Sequence, residues 1–422
     1  MRSNKAARIL FATFLCLLIS LQAQSTSSLS KEQLDTALEP PHINLNPGPE
    51  YQDENRTQGM VIGWDRTPKG RIWAAWIGNG DSDNGWMSVA TSDDDGKTWS
   101  RPRLVIDPTD QPGMPQRRTL VGNLWSDPKG RLWLFFDQSL GYFDGRAGDW
   151  YIRCDQPDAR NPKWTKPVRF ADGATLNKPT VLKNGEWILP VSLWPREVVR
   201  TGAGVPVEKD ALKEAHHELD SMRKANVYVS TDQGRSWNLR SGVAFPNPNF
   251  DEHMIVELKD GRLWMLARTH DNPYESYSSD EGRTWSDPTP SKIRNINSRF
   301  FLRRLQSGNL LLLKNGPVDK RLEKRTHLTA FLSSDDGQTW QGGLLLDERA
   351  RVTYPDGFQS PDGTINILYD WNRATDAEIL RARFREEDIL AGKFQSPGSG
   401  TQILVNKARG PRPHAAHAEG TP

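Results

Sequence analysis

The sequence predicts an all-β protein, a six-bladed β-propeller with Asp-box turns, and two repeated turn patterns predict it. An acidic turn, Ser-x-Asp-x-Gly-x-Thr/Ser-Trp, occurs four times in the 422 residues. A second turn, centred on glycine, occurs six times at intervals of 60, 55, 76, 47 and 55 residues. Self-similarity at such intervals is typical of repeat architectures, and radial blades of four short strands fit this spacing.

The acidic turns, here called Asp boxes, have a pattern that turn chemistry explains residue by residue. The Asp can accept hydrogen bonds from backbone amides two residues on, the Gly permits positive φ, and the Trp packs over apolar neighbours. We therefore expect a structural role and neither metal binding nor catalysis. The boxes lie at residues 92–99, 230–237, 278–285 and 333–340, with a degenerate copy at 155–164.

The glycine turns set the number of blades. Each reads as a hairpin between the first two strands of a blade, with Gly in the left-handed conformation. The glycines are Gly70, Gly130, Gly185, Gly261, Gly308 and Gly363. The widest interval contains a polar, helix-favouring stretch at 197–224, which predicts an insertion on a loop. No box follows the last hairpin, so residues around 41–63 are expected to complete the final blade of a propeller spanning 41–398.

The N-terminal region has the order of a secretory signal peptide. A short basic leader precedes an apolar run at residues 9–21, which is shorter than the ~20 residues of a membrane span, and small residues follow. This order predicts a signal peptide at 1–23 and a secreted protein, periplasmic or extracellular, without a membrane anchor. The tail at 408–422 is rich in Pro, Gly and His and is expected to be disordered.

Charge and cysteine content exclude several classes of partner. The leader carries three of the 55 Lys and Arg and none of the 53 Asp and Glu, so the mature chain is close to neutral. A near-neutral chain offers no electrostatic reason to bind nucleic acid or a membrane surface. Cys154 is the one cysteine outside the leader, so no intramolecular disulfide is expected. The histidines show no metal-ligand spacing, and we expect no metal and no cofactor. The oligomeric state stays open.

The Asp boxes and glycine hairpins together resemble those of the sialidase superfamily over roughly residues 50–395. The resemblance implies a six-bladed propeller whose site uses three arginines on the substrate carboxylate, a Tyr/Glu nucleophile pair and an Asp acid/base. It implies an exo-acting, retaining glycoside hydrolase that removes terminal sialic acid, or a related acidic sugar, from glycans. Sialic acid carries a carboxylate on its anomeric carbon, so a neutral Tyr activated by Glu suits it better than an anionic nucleophile.

The resemblance assigns the catalytic roles to residues at blade entries. Tyr354, just before the sixth hairpin, corresponds to the nucleophile. Glu252 precedes the fourth hairpin and corresponds to the base; its rival Glu257 is five positions on and faces the opposite side of a regular strand. Asp81, in the Gly-rich loop after the first inner hairpin, corresponds to the acid/base, with Asp83 as its neighbour in a loop that also suits an ordinary turn or a calcium site.

The resemblance also assigns residues that bind substrate. Arg268 closes an otherwise apolar strand, and Arg325 lies before the fourth box. Arg56 is the counterpart of the first-blade arginine, although the Arg-Ile-Pro motif of the family is replaced here and Arg56 stands about four residues upstream of its place. Asn177 and Lys178 precede the third hairpin and are expected to line the pocket and contact sugar hydroxyls.

Two alternative functions use the same architecture. A lyase or hydrolase acting on uronate-containing polysaccharides would also need arginines for a carboxylate, and elimination would make His253 and His270 candidates for proton transfer. A non-catalytic propeller would bind carbohydrate without turning it over. The sequence leaves both open.

Overall fold

The computed structural model describes residues 30–110, 116–200 and 211–411. The predicted signal peptide and residues 412–422 of the predicted tail lie outside the described residues. Within the described ranges, no helix is long and apolar enough to span a membrane.

The described residues form six antiparallel sheets around a common axis, which confirms the predicted six-bladed β-propeller. The first three blades contain, in chain order, β1 (Ile43–Asn44), β2 (Met60–Arg66), β3 (Ile72–Ile77), β4 (Met87–Ser92) and β5 (Leu104–Ile106); β6 (Arg117–Arg118), β7 (Gly122–Ser126), β8 (Leu132–Leu140), β9 (Gly148–Cys154) and β10 (Val168–Ala171); β11 (Thr180–Val181), β12 (Trp187–Ser192), β13 (Ala225–Ser230) and β14 (Asn238–Val243).

The last three blades have four strands each. They contain β15 (Pro248–Glu257), β16 (Leu263–Thr269), β17 (Tyr274–Ser278) and β18 (Thr289–Pro290); β19 (Phe301–Arg304), β20 (Leu310–Asn315), β21 (Leu328–Ser333) and β22 (Gln341–Asp347); β23 (Val352–Gln359), β24 (Ile365–Trp371), β25 (Glu378–Phe384) and β26 (Gly400–Lys407). The inner strands β2, β7, β11, β15, β19 and β23 surround the axis.

Helical segments are short and lie between strands. The α-helices are α1 (Lys31–Asp35) and α2 (Glu386–Ala391), and the 3₁₀ turns are Thr36–Leu38, Pro49–Tyr51, Pro108–Asp110, Arg196–Val198, Ala211–Glu214 and His217–Met222. The last three turns fall in or beside the stretch predicted as an insertion, between β12 and β13.

The two turn families adopt the conformations that their residues favour. The six hairpin glycines have φ between 77° and 100°, a region open to Gly at little cost. In the first box, Ser92 Oγ accepts from Gly96 N at 2.8 Å. Asp94 Oδ1 accepts from Thr98 N at 2.9 Å and Lys97 N at 3.1 Å, so the Asp reaches amides three and four residues on and not two. A tight turn closed by two side chains requires no ligand.

The ring closes between the first and sixth blades, where β2 packs against β23. The sixth blade has its own outer strand, β26, which α2 connects to β25 in place of a box. The expectation that residues around 41–63 complete the last blade is therefore wrong, because β1 and β2 both belong to the first blade. β26 also extends the propeller beyond the predicted boundary at 398.

The direction of the strands places the glycine hairpins and the Asp boxes at one end of the propeller axis. Neighbouring strands in each blade are antiparallel, so the hairpin after the first strand and the box after the third lie at the same end. The opposite end, here called the upper end, receives the start of every inner strand and the end of every second strand. The hydrophobic core lies between the blades, and fully buried Trp64, Trp73, Trp76, Trp133 and Trp264 belong to it.

Candidate active site

Two bulged inner strands direct Glu252 and Tyr354 into the upper end of the axis. Pairing of β15 with β16 shifts register twice between Pro248 and Met254, and pairing of β23 with β24 shifts between Thr353 and Asp356. Both residues have positive φ, 42° for Glu252 and 54° for Tyr354, which is costly for side chains of this size. Bulges re-aim side chains out of the regular alternation. Here the bulges turn Glu252 of the fourth blade and Tyr354 of the sixth blade toward each other.

Tyr354 and Glu252 form a buried hydrogen-bonded pair. The Tyr354 hydroxyl donates to Glu252 Oε1 at 3.1 Å, and the two residues are 8% and 3% exposed. Burial, and after it the Glu252 carboxylate, raises the pKa of the Tyr354 phenol, so the hydroxyl is neutral until a base removes its proton. Glu257 lies at the other end of β15, where its Oε2 accepts from Lys183 N at 2.8 Å.

Arg268 and Arg325 stand beside this pair. Arg268, near the end of β16, donates from Nη1 to Glu252 Oε2 at 2.8 Å and from Nε to Asn297 Oδ1 at 2.6 Å. Arg325 donates from Nη2 to the Asn297 carbonyl at 2.8 Å. The structure therefore brings together Tyr354, Glu252, Arg268 and Arg325 from three blades.

A further arginine, which the sequence analysis missed, completes the cluster. The Arg373 guanidinium lies 4.5 Å from the centroid of the Tyr354 ring, and its Nη1 lies 2.7 Å from Met60 Sδ. Met60 is four residues after Arg56, the place where the resemblance to sialidases implies a first-blade arginine. One signal could have found Arg373: it follows the second strand of its blade, as Arg268 ends the second strand of another.

The charges of these arginines act on one another. Burial and then the nearby Arg268 and Arg373 lower the pKa of Arg325 to about 10. Burial lowers the pKa of Arg373, but the neighbouring Asp370, Tyr354 and Asp81 outweigh this effect and raise the pKa above its ordinary value. Guanidinium groups held together in a buried site repel one another, and an anion relieves that repulsion. The cluster is therefore suited to bind a carboxylate.

Arg56 does not join this cluster, which corrects its predicted role. Its guanidinium is fully buried and donates to the Gln58 carbonyl at 3.0 Å, to Asp53 at 3.2 Å and to Asn406. These partners belong to the chain before β2 and to β26. Arg56 therefore connects the first blade to the last and does not face the axis with the other arginines.

Asp81 lies at the rim of the cluster on an exposed loop after β3. Its Oδ2 is 3.5 Å from Arg373 Nη1, and its Oδ1 is 3.5 Å from the Tyr142 hydroxyl. Burial, followed by the Asp81 charge, strongly raises the pKa of Tyr142, so that phenol serves as a neutral hydrogen-bond donor. Tyr142 is a second residue that the sequence analysis missed, because no repeat or turn pattern marks it. Asp81 contacts the arginine cluster through Arg373.

Asn177 and Lys178, which were predicted to line the pocket, lie below the pair and form the floor of the site, where their side chains are hydrogen-bonded within the protein. Asn177 Nδ2 donates to the carbonyls of Glu252 and His253, both at 2.9 Å. Lys178 is 6% exposed, and its Nζ donates to the carbonyls of Trp64 and Leu124 at 2.5 and 2.6 Å.

The floor extends across the axis through Asp356, the nearest carboxylate to Lys178. Lys178 Nζ lies 3.1 Å from Asp356 Oδ2, and Arg299 Nη2 lies 3.6 Å from Asp356 Oδ1. Asn123 donates to Asp356 Oδ1 at 3.2 Å, and Trp64 N donates to Oδ2 at 3.0 Å. The network joins residues of several blades and closes the axis beneath the Tyr–Glu pair.

The residues of the alternative hypotheses lie elsewhere. His253 is buried; its Nε2 is 2.9 Å from the Asn226 carbonyl and its Nδ1 is 3.3 Å from Ser192 Oγ, so the ring is turned toward the third blade. Burial lowers the pKa of His253 to about 4. His270 is exposed at the rim, with Nδ1 at 3.5 Å from Asn297 Nδ2. Among the described residues, no group of three or more His, Cys, Asp and Glu side chains is placed to hold a metal ion.

Comparison with known proteins agrees with this fold. A model of the BNR repeat-like domain matches residues 70–367. The chain belongs to the BNR repeat-like family. Relatives place this BNR repeat-like protein in a sialidase-like superfamily: a sialidase of Bacteroides fragilis is 22% identical over 306 residues, covering 67% of this chain and 54% of the relative. A sialidase of Paraclostridium sordellii is 27% identical over 233 residues, covering 51% of this chain and 54% of the relative. The chain spans about half the length of these curated relatives.

Solved structures share the fold of the BNR repeat-like protein. The Hadza microbial sialidase Hz136 has a TM-score of 0.61 at 18% identity, covering 80% of this chain and 67% of its own. The intramolecular trans-sialidase of Ruminococcus gnavus, solved with oseltamivir carboxylate, has a TM-score of 0.59 at 13% identity, covering 82% and 98%. At these identities the likeness concerns the architecture.

Proposed function

We propose that this BNR repeat-like protein is an exo-acting glycoside hydrolase that removes terminal sialic acid, or a related acidic sugar, from glycans. One observation carries the proposal: the hydroxyl of Tyr354 is hydrogen-bonded to Glu252 at 3.1 Å beside the guanidinium groups of Arg268, Arg325 and Arg373. A neutral nucleophile with its own base, next to converging cations, matches a substrate whose anomeric carbon bears a carboxylate.

The first step of the proposed reaction is attack by the phenol. The arginine cluster binds the substrate carboxylate and so fixes the anomeric carbon above Tyr354. Glu252 accepts the phenolic proton while the Tyr354 oxygen forms a bond to the anomeric carbon. The bond from that carbon to the leaving oxygen breaks, and Asp81 donates the proton that the leaving oxygen needs.

The second step hydrolyses the glycosyl-enzyme bond with overall retention. A water molecule loses a proton to Asp81, and its oxygen bonds to the anomeric carbon. The bond to Tyr354 breaks, and Glu252 returns the proton to the phenolic oxygen. Each acid and base is thereby regenerated, as the microscopic reverse of the first step requires.

The buried pair explains why a tyrosine can serve in this role. Burial and the Glu252 charge hold the Tyr354 hydroxyl neutral, so an anionic substrate meets no anionic nucleophile on approach. Arg268 and Arg373 oppose that shift and stabilise negative charge as it develops on the phenolic oxygen. The elimination hypothesis gains no support from His253, which is hydrogen-bonded to the third blade.

A fluorogenic sialoside assay on matched variants tests the proposal. Tyr354→Phe removes the nucleophilic oxygen and is expected to lower kcat/KM by at least about a thousandfold. Tyr369→Phe is the control, since the Tyr369 hydroxyl in the sixth blade is also buried but donates at 3.1 Å to Asp347, at the end of β22 in the fifth blade. The control is expected to keep kcat/KM within about twofold of wild type.

The possible outcomes separate the hypotheses. If the wild type releases no fluorophore above background, the hydrolase proposal is wrong. Equal activity of the two variants would exclude Tyr354 as the nucleophile. Formation of an unsaturated product from a uronate polysaccharide would favour a lyase, and glycan binding without turnover would favour a binding protein.

We further propose that the protein is exported, on the leader predicted at residues 1–23. The substrates would then be glycans outside the cytoplasm. Mass spectrometry of the N-terminal peptide from exported fractions tests this: a full-length N-terminus there, or protein confined to the cytoplasm, contradicts it.

A further inference from the structure

Asn297 holds two arginines of the cluster at once. It lies between β18 and β19 and is 9% exposed. Its Oδ1 accepts from Arg268 Nε at 2.6 Å and from Asn249 Nδ2 at 2.7 Å. Its main-chain oxygen accepts from Arg325 Nη2 at 2.8 Å and from Arg268 Nη2 at 3.3 Å. One residue thus offers both of its oxygens to guanidinium groups from two blades.

A neutral acceptor at this place has a consequence for the charge of the cluster. Arg268 and Arg325 repel each other, and Arg268 contributes to the lowered pKa of Arg325. Carbonyl oxygens orient a guanidinium through partial charges but leave its net positive charge available. A carboxylate at the same place would neutralise the arginines and compete with an anionic ligand. An amide therefore fixes the positions of these cations without consuming their charge.

We infer that Asn297 is a positioning residue that sets the spacing of Arg268 and Arg325 for a planar carboxylate ligand. The inference rests on the proposed function, since it assigns Asn297 a role in the carboxylate clamp of that site. The main-chain oxygen of Asn297 holds an N–H group of Arg268 close to one of Arg325, and the side-chain oxygen fixes the orientation of the Arg268 guanidinium. A carboxylate needs donors at such a fixed separation. Asn297 acts through the arginines and does not take part in bond making.

Asn295 provides a matched control in the same segment. It is the same residue type, is 1% exposed, and lies two positions away. Its Nδ2 donates to the Ser298 carbonyl at 3.0 Å, and its Oδ1 accepts from Asn315 N at 3.3 Å. It therefore supports the backbone of the segment, whereas Asn297 supports the guanidinium groups.

The deciding measurement is binding of the sialic acid analogue DANA by isothermal titration calorimetry, with kcat and KM on a fluorogenic sialoside. Asn297→Ala loses the side-chain hydrogen bond to the Arg268 guanidinium, while the main-chain oxygen still accepts from Arg325, and it is expected to raise the Kd about tenfold. Asn297→Asp adds a competing charge and is expected to raise it about a hundredfold. KM should follow the Kd while kcat stays within about threefold, because the clamp holds ground state and transition state alike. Asn295→Ala should lower the Tm but leave the Kd within about twofold.

Three results would overturn the inference. The first is an unchanged Kd in both Asn297 variants, and the second is an Asn295→Ala variant whose Kd rises as much as that of Asn297→Ala. The third is a smaller rise of the Kd in Asn297→Asp than in Asn297→Ala. These outcomes require a wild type that binds DANA; a wild type that neither binds DANA nor hydrolyses the sialoside refutes the proposed function itself. Asn297→Ser keeps a small polar side chain and replaces Asn297→Ala if the latter fails to fold.

Discussion

Arg373 offers the sharpest test of how this site recognises its substrate. The resemblance to sialidases implies an arginine on the first blade, whereas here Met60 holds that position and the Arg373 guanidinium from the sixth blade contacts it. Arg373→Lys keeps the positive charge beside Asp370 and Asp81 but loses the planar fork. The substitution therefore removes directional hydrogen bonds to a carboxylate without leaving a buried acid uncompensated.

The expected rise in KM follows from the hydrogen bonds between Arg373 and the substrate carboxylate that the substitution removes. A hydrogen bond to a charged group contributes about 1.5–3 kcal/mol, and about 1.4 kcal/mol is a factor of ten in affinity. Loss of one arm of the fork should therefore raise KM roughly tenfold to a hundredfold. Arg373 also contacts the Tyr354 ring and opposes the rise of its phenol pKa. Because Arg373→Lys keeps the positive charge beside Tyr354, the fall in kcat should be smaller than the rise in KM.

Steady-state kinetics with Arg56→Lys as the partner variant provide the control. Arg56 is fully buried between the first and last blades, so this substitution should lower the free energy of unfolding by about 1–3 kcal/mol. Its KM should stay within about twofold of wild type. If Arg56→Lys raises KM as strongly as Arg373→Lys, or if Arg373→Lys leaves KM unchanged, the assignment of Arg373 to the carboxylate clamp is refuted.

Two further predictions concern stability. Lys178→Met leaves the Asp356 carboxylate without its nearest cation and should lower the free energy of unfolding by about 3–5 kcal/mol, measured by chemical denaturation. The double variant with Asp356→Asn should lose less stability than the sum of the two single variants. Strict additivity would argue against an interaction between Lys178 and Asp356. Burial and then the Glu252 charge raise the pKa of Asp251 to about 7, so the folded state binds its proton more tightly than the unfolded state. This contribution is complete below about pH 4 and is lost as the pH rises to about 7, at about 1.4 kcal/mol per pKa unit. Asp251→Asn should remove this fall, amounting to a few kcal/mol between pH 4 and pH 8, and a parallel pH profile in both proteins would contradict it.

The architecture was predictable because its determinants are local in the chain. Each hairpin needs a residue tolerant of positive φ, and each box needs a Ser, an Asp and a Gly at fixed spacing. The closure of the ring was predicted wrongly, since no local signal shows that α2 replaces a box before β26. Which segment pairs with which edge depends on how six blades fit around an axis, and that is a property of the whole chain.

The site was predictable in part. Tyr354, Glu252, Arg268 and Arg325 were assigned from their places relative to hairpins and boxes, and the structure brings them together. Arg373 could not be predicted from the resemblance, because the resemblance implies the corresponding arginine on the first blade. A long side chain can reach the same point from a neighbouring blade, so its origin in the sequence does not determine its place in the site.

The sequence by itself determined the number of blades, the turn conformations and the entry points of the polar residues, since these follow from short patterns and strand periodicity. The tertiary structure alone decided which charges converge. Arg56, Lys178 and Arg268 are all cations near the upper end of a blade, yet Arg56 connects the first blade to the last and Lys178 closes the axis. The difference arises because a buried cation takes the nearest oxygen atoms in space, and those atoms come from strands far apart in the chain.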